Sequence, residues 1–226
     1  MKIVLASKSP RRRELLSEIV SEFDIVTAEC DETLPNDIHP RQGVELLAIR
    51  KGEAVLGLLS EDALVISSDT LVELDGKPLG KPKNGEDAAD MLNLLSGRVH
   101  NVHTGVAVHY KGKVFSGVDS TAVYFKPLTY EQIEAYILSG EPMDKTNGRI
   151  WNTDELIKKG WMDNTGKWRT NNGNPPECLD KAGSYGIQGL GGRFVEKYEG
   201  RFDTVVGLSV KLTEELIKKA VDNEKE

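Results

Sequence analysis

The chain has 226 residues and a mass of 24.9 kDa, enough for one large domain or one and a half. Hydrophobic residues make up 38% and charged residues 29%, the balance of a protein that buries a real core. Acids exceed bases by 36 to 29, a net charge of −7 with a pI near 5.3, which argues against a protein that coats nucleic acid through its overall field. No apolar run is long enough to span a membrane. The first apolar stretch is too short for a signal peptide and runs at once into Arg11 to Arg13. Cys30 and Cys178 define neither a disulfide framework nor a zinc site, so a cytoplasmic setting is expected.

Read in chain order, Ile3 to Leu5 predicts a short strand. Ser9 is placed to cap a helix whose first position suits Pro10, with Leu15, Leu16 and Ile19 on its apolar side. Phe23 to Thr27 predicts a second strand. Pro40 opens a longer helix with Val44, Leu47, Ala48, Val55 and Leu59 as its stripe. Ala63 to Ile66 reads as a buried strand ending in Ser67-Ser68-Asp69-Thr70. Leu71 to Leu74 reads as another, closed by an Asp75-Gly76 turn. A helix is expected over Asn84 to Leu95, stopped by Gly97. A hairpin follows from Val99 to Tyr110 and Val114 to Phe125 around Lys111-Gly112-Lys113. Thr129 with Gln132 forms a capping box for a helix ending at Gly140. Phe194 to Val195 and Thr204 to Leu208 read as final strands, and Thr213 to Val221 as a terminal helix. This alternation predicts an α/β fold with a mixed sheet.

The interval Lys145 to Lys181 breaks the pattern. It holds six asparagines, the Pro175-Pro176 pair and all three tryptophans, Trp151, Trp161 and Trp168. So long a structureless loop is unusual in a compact domain. It reads better as an inserted minidomain in which Asn152 and Glu155 cap a short helix.

Four features bear on chemistry. Residues 1–13 carry five bases and no acid, concentrated at a strand-to-helix turn. Cations are disfavoured at a helix N-terminus unless an anion joins them, and backbone N–H groups with arginine forks suit phosphate. Asp69, with Thr70, follows a buried strand, where open α/β sheets place ligands; a carboxylate there suits a general base or a metal ligand, against the plainer reading of an acidic turn. Lys51 and Lys81 suit phosphate as point charges, although single lysines are usually surface residues. The run Gly183 to Gly192 has five glycines in ten residues and permits close backbone approach, with Tyr185 and Gln188 as groups that could stack on a base or read its edge. The histidines offer no metal site: His103 and His109 would share a strand face about 20 Å apart.

Jointly these fragments carry more than each alone. Leu5-Ala6-Ser7-x-Ser9-Pro10-Arg11-Arg12-x-Glu14-Leu15-Leu16, Ser68-Asp69-Thr70-Leu71-Val72, Gly80-Lys81-Pro82, Ser139-Gly140-Glu141-Pro142-Met143-Asp144-Lys145 and Ala182-Gly183-Ser184-Tyr185-Gly186-Ile187-Gln188-Gly189 resemble, in order, the motifs of the Maf family of nucleotide pyrophosphatases. The resemblance implies hydrolysis of nucleoside triphosphates to monophosphate and pyrophosphate with a divalent metal, Mg²⁺ or Mn²⁺. It also implies an elongated two-lobed α/β structure with flanking helices and a central cleft, similar to inosine-triphosphatase-like folds, in a single domain over 1–226. It assigns Asp69 as proton acceptor, with Glu32 helping to hold the metal. Arg11, Thr70 and Gln188 match positions tied to dTTP and UTP; Ser7, Arg12, Lys51 and Lys81 match triphosphate-binding positions. The partner implied is the nucleoside triphosphate, with no nucleic-acid polymer and no membrane, and with room for a homodimer.

The departure from the family pattern is an insertion of about 36 residues at 146–181, which leaves Asp144-Lys145 and Asp180-Lys181 as rival copies of one dipeptide. Two alternatives follow: a 7-methyl-GTP pyrophosphatase of the same family, or a non-catalytic nucleotide-binding protein if the insertion disrupts the site.

Overall fold

The computed structural model describes residues 1–59, 62–83, 85–138 and 181–223. The Trp-bearing interval, the helix placed over 152–157, the starting Asn84 and the end at Gly140 lie outside them. The chain forms two compact units. One comprises Met1–Lys77, Asn101–Thr121 and Glu199–Glu226; the other comprises Pro78–His100 and Ala122–Tyr198.

The first unit begins with β1 (Lys2–Leu5), α1 (Pro10–Ser17), β2 (Asp24–Ile25), α2 (Pro40–Leu56) and β3 (Ala63–Leu74). After β4 (Lys77–Leu79) and α3 (Gly85–Leu95) come the long hairpin strands β5 (Val99–Tyr110) and β6 (Lys113–Phe125), then α4 (Tyr130–Leu138). The chain closes with β7 (Val195–Glu199), α5 (Phe202–Val206) and α6 (Val210–Asp222). Strand order is β2-β1-β3-β5-β6-β7, with β4 beside β3. β1 pairs in parallel with β2 and β3, and β3 pairs antiparallel with β5. The mixed α/β sheet is therefore as predicted.

The period of two along β3 organises the first unit. Leu64 and Ile66 join Leu5, Leu16, Val106, Val108, Leu208 and Leu216 in one buried cluster. Ala63 and Val65 join Val4, Ala6 and Val55 in another. A strand buried on both faces reads as a continuous apolar run, and that is why Ala63 to Ile66 lacks alternation. The same alternation carries into the polar middle of β3. Ser67 donates to the Ala48 carbonyl of α2 at 2.7 Å, whereas Ser68 donates to the Gly207 carbonyl at 3.0 Å.

Local signals hold in many places. Ser9 caps α1 by accepting from the Arg12 N–H at 3.5 Å. The Thr129–Gln132 box closes in both directions, at 2.8 and 3.3 Å. Asp75-Gly76 and Lys111-Gly112 take positive φ, at 52° and 75° and at 47° and 72°, as hairpin turns with the type I′ pattern do.

Five expectations are corrected. The two strands read over 63–66 and 71–74 are one, because Ser67 to Thr70 pair with Ala107 to Thr104 without a break. The strand read over Phe23–Thr27 shrinks to two residues, and that read at Phe194–Val195 becomes Val195–Glu199 after a 3-10 turn. Thr204–Leu208, read as a strand, is mostly the short helix α5. Asp203 takes the Thr204 and Val210 N–H groups at 3.0 and 2.8 Å, and Gly207 ends the helix at φ 128°. A five-residue apolar run does not distinguish helix from strand by period; the carboxylate at its start and the glycine at its end decide. The terminal helix starts three residues early, at Val210, because Ser209 caps it by accepting from the Leu212 N–H at 3.4 Å.

Gly105 shows how tightly α2 lies on the sheet. A Cβ there would sit 2.4 Å from the Val44 carbonyl oxygen and 2.9 Å from the Glu45 Cα, both backbone. Gly105→Ala is therefore expected to push helix and sheet apart at a cost of about 1–3 kcal/mol. At about 2–4 °C per kcal/mol for a chain this size, a thermal melt should show a fall of several degrees; an unchanged melting temperature would contradict this packing.

Candidate functional site

The sheet's alternation splits the polar middle of β3 between two sets of partners. Asp69, 8% exposed, faces α2, where Lys51 donates an ion-paired hydrogen bond to its Oδ1. The same ammonium lies 2.8 Å from Oε1 of Glu32, on the loop before α2. Burial alone would favour the neutral amine. The Asp69 charge and the hydrogen bonds the ammonium donates to Asp69 and Glu32 outweigh it and raise the Lys51 pKa, so the ammonium persists well above neutral pH. Cys30 feels the same charges, but burial dominates and pushes its thiol pKa up. It stays protonated near neutrality and is a poor nucleophile there.

Ser68 and Thr70 face the other way, toward Arg12 of α1. Arg12 does not reach outward as the basic-cluster reading supposes. Its Nε donates to the Gly207 carbonyl at 2.9 Å, and one terminal nitrogen donates to the Ser68 carbonyl at 2.7 Å and to Ser7 Oγ at 3.5 Å. The other terminal nitrogen donates to Thr70 Oγ1 at 3.4 Å. Burial lowers the Arg12 pKa, with the Asp69 charge opposing that, and a guanidinium so held remains charged at neutral pH. Arg12 thus ties the start of α1 to β3 and to the end of α5. Ser7 is buried and also accepts from the Ser9 N–H at 3.2 Å. Arg11 is half-buried beside this clamp, while Lys8 and Arg13 are exposed.

Ser7, Arg11, Arg12, Glu32, Lys51, Asp69 and Thr70 therefore belong to the first unit, and Lys81, Tyr185 and Gln188 to the second. Within the second unit the Gly183 N–H donates to the Gly80 carbonyl at 3.2 Å, so the loop bearing Lys81 and the glycine-rich loop meet. Lys81 and Gln188 are exposed. Tyr185 is not: it is 6% exposed, packs edge-on against His100 and Phe125, and shares a 2.8 Å hydrogen bond with His100 Nε2. Its ring anchors the loop and leaves little face for a base. The glycines also approach their own chain. Cβ atoms at Gly191 and Gly192 would lie 2.8 Å from the Gly186 carbonyl oxygen and 2.4 Å from the Ile187 carbonyl oxygen. The segment is a tightly folded turn.

Burial lowers the His100 pKa to about 4. Its unfolded value is higher, so protons bind the unfolded chain first as pH falls. Stability is full above pH 6.5, declines between 6.5 and 4, and levels off below. The loss is about 3 kcal/mol in all, near 1.4 kcal/mol per pH unit. His109, also buried with its pKa lowered, acts in the same direction. Denaturant melts at pH 7 and pH 5 should differ by about 2 kcal/mol from His100 alone. In a His100→Leu/Tyr185→Phe chain that share of the slope should vanish; an unchanged slope would contradict it. His103, by contrast, is held between Glu73 Oε2 at 2.6 Å and Ser120 Oγ at 2.8 Å.

A divalent cation fits the first unit in its donor chemistry. Two carboxylate oxygens, from Glu32 and Asp69, converge on one point already occupied by a cation, the Lys51 ammonium. Among the described residues no group of three His, Cys, Asp or Glu converges so. One or two carboxylates, completed by phosphate oxygens and water, are what Mg²⁺ sites of this kind use.

Sequence reasoning missed Ser68, Thr104 and Gly207 as members of this network. No signal within β3 shows which residues of β5 and α5 lie across from it.

The first unit is thus an α/β layer whose central strand β3 carries a buried carboxylate–lysine pair on one face and a clamped arginine on the other. The profile of the Maf-like protein family matches residues 2–154 and 168–220, and the chain belongs to this family. The unmatched stretch lies inside the Trp-rich interval. Similar proteins include the dTTP/UTP pyrophosphatase of Vibrio parahaemolyticus, 41% identical over 218 residues that cover 96% of each chain. That of Moorella thermoacetica is 42% identical over 218 residues, covering 96% of this chain and 93% of the other. The Ham1 protein of Staphylococcus aureus aligns in structure with a TM-score of 0.40 and 18% identity, over 55% of this chain and 72% of that one, a likeness too loose to carry a conclusion.

Proposed function

We propose that this Maf-family chain is a nucleoside triphosphate pyrophosphatase acting on dTTP and UTP. The observation that carries the reading is the buried Asp69 held by Lys51 in the middle of β3, in a chain about 40% identical over nearly its whole length to proteins named dTTP/UTP pyrophosphatases.

In this reading Asp69 is oriented through Oδ1 by Lys51. Its Oδ2 orients the attacking water and accepts its proton, a role worth about 10²–10⁴-fold. Lys51 and Arg11 supply positive charge to the phosphate oxygens, and well-placed donors of this kind contribute roughly 3–4 kcal/mol each to the transition state. Arg12 and Ser7 fix the turn that carries Arg11 at the start of α1. Asp69 and Glu32 would hold a Mg²⁺ or Mn²⁺, which when bound neutralises charge on the triphosphate. Lys81 serves the triphosphate and Gln188 the base, its amide matching the N3–H and O4 of uracil or thymine; Tyr185 acts by holding their loop.

The setting is cytoplasmic, in keeping with the absence of any described helix long and apolar enough to cross a membrane. The 146–181 insertion leaves catalysis intact. Pyrophosphate release from a nucleotide panel tests the reading. Turnover of UTP and dTTP, lost on chelation of the metal and retained when residues 146–181 are removed, is expected. No turnover of any triphosphate would refute it, and activity gained only on removing 146–181 would make that segment inhibitory.

A further inference from the structure

Thr104 is fully buried and sits directly across from Thr70 in the β3–β5 register. Its hydroxyl has one hydrogen and two neighbours. The Thr204 carbonyl, 2.7 Å away, can only accept. Thr70 Oγ1, 3.0 Å away, can do either. The hydrogen therefore goes to Thr204, and Thr104 must accept from Thr70. That commits the single hydrogen of Thr70 and turns a lone pair toward Arg12, whose terminal N–H donates to it at 3.4 Å. The alternative acceptor for Thr70, the Gly207 carbonyl, is more distant at 3.5 Å and already receives Arg12 Nε and Ser68 Oγ. The result is a chain of one polarity: Arg12 to Thr70 to Thr104 to the Thr204 carbonyl.

We propose that Thr104 is a positioning residue for the reaction, its buried hydroxyl fixing the direction of the Thr70 hydrogen bond and through it the orientation of Arg12. The proposal rests on the pyrophosphatase reading of the site. Without the Thr104 hydroxyl, Thr70 has lost its acceptor and swings its hydrogen to the Gly207 carbonyl. It then competes there with Arg12 Nε and loosens the guanidinium at two of its contacts. Thr104 itself cannot touch a substrate, so all of its effect must pass through Arg12.

A double-mutant cycle reads that dependence. Thr104→Val in the native chain should lower kcat/KM for UTP about tenfold, and Thr104→Ser, which keeps the hydroxyl, should stay within about threefold of native. In an Arg12→Ala background Thr104→Val should cost less than about twofold. A merely structural role would lower activity by the same factor in both backgrounds. Equal factors, or a native-like Thr104→Val, would overturn the proposal. If Thr104→Val does not fold, Thr104→Ala removes the hydroxyl without adding bulk and should give the same pattern; unfolding of both would make Thr104 a folding residue and overturn the proposal as well. If the native chain hydrolyses no triphosphate, the pyrophosphatase reading fails separately. The same cycle is then read from calorimetric binding of α,β-methylene UTP, with coupling supporting the Thr104 link and additivity overturning it.

Discussion

Asp69→Asn is expected to lower kcat for UTP by roughly 10²–10⁴-fold while moving the melting temperature by only a few degrees. The substitution keeps the shape of a side chain that is 8% exposed and removes the proton acceptor. Lys51 loses its charged partner on β3 but keeps Glu32 at 2.8 Å, so no cation is stranded, and that is why the fold should hold. KM should change much less than kcat, since an interaction made mainly in the transition state is being removed. Pyrophosphate release at saturating UTP, with a thermal melt on the same sample, checks this. A variant retaining a tenth or more of native kcat would remove Asp69 from the chemistry.

Arg12→Lys is expected to be nearly as damaging, for a different reason. The guanidinium serves the Gly207 carbonyl, the Ser68 carbonyl and the Ser7 and Thr70 hydroxyls from one rigid plane. An ammonium is a point charge without that fork. At least one carbonyl loses its charged donor, at about 2 kcal/mol, which is roughly 4–8 °C in melting temperature. The loosened turn should lower kcat/KM for UTP about 10²-fold. Stability and activity should therefore fall together, in contrast to Asp69→Asn. Denaturant melts and steady-state kinetics measured in parallel separate the two patterns. Full stability with lost activity would mean that Arg12 contacts substrate and does not clamp the turn.

The contrast between these two residues also marks where the sequence was informative. Asp69 is legible as the carboxylate that follows the buried apolar run Ala63 to Ile66, but not its place in mid-strand: β3 continues to Leu74, with Asp69 paired to Gly105. The capping serine at Ser9 and the Thr129–Gln132 box are legible because they act over three residues. Arg12 was legible as a phosphate-site arginine but not as a clamp. Its partners Ser68 and Gly207 lie 56 and 195 residues away, and only the closed fold brings them together. Tyr185 was misleading for a similar reason: an aromatic in a glycine-rich loop suits stacking, yet His100 and Phe125 from distant strands enclose it. The α5 segment was misread because its apolar run is too short for its period to speak, and the deciding Asp203 contacts reach forward to Val210.

The measurement that tests the central claim most directly is the comparison of kcat/KM for pyrophosphate release from UTP, dTTP and 7-methyl-GTP by the full chain with Mg²⁺ or Mn²⁺. The account expects UTP and dTTP to be turned over well and 7-methyl-GTP poorly, with Asp69→Asn lowering kcat for UTP roughly 10²–10⁴-fold. Preferential turnover of 7-methyl-GTP, or UTP turnover unaffected by Asp69→Asn, would contradict it.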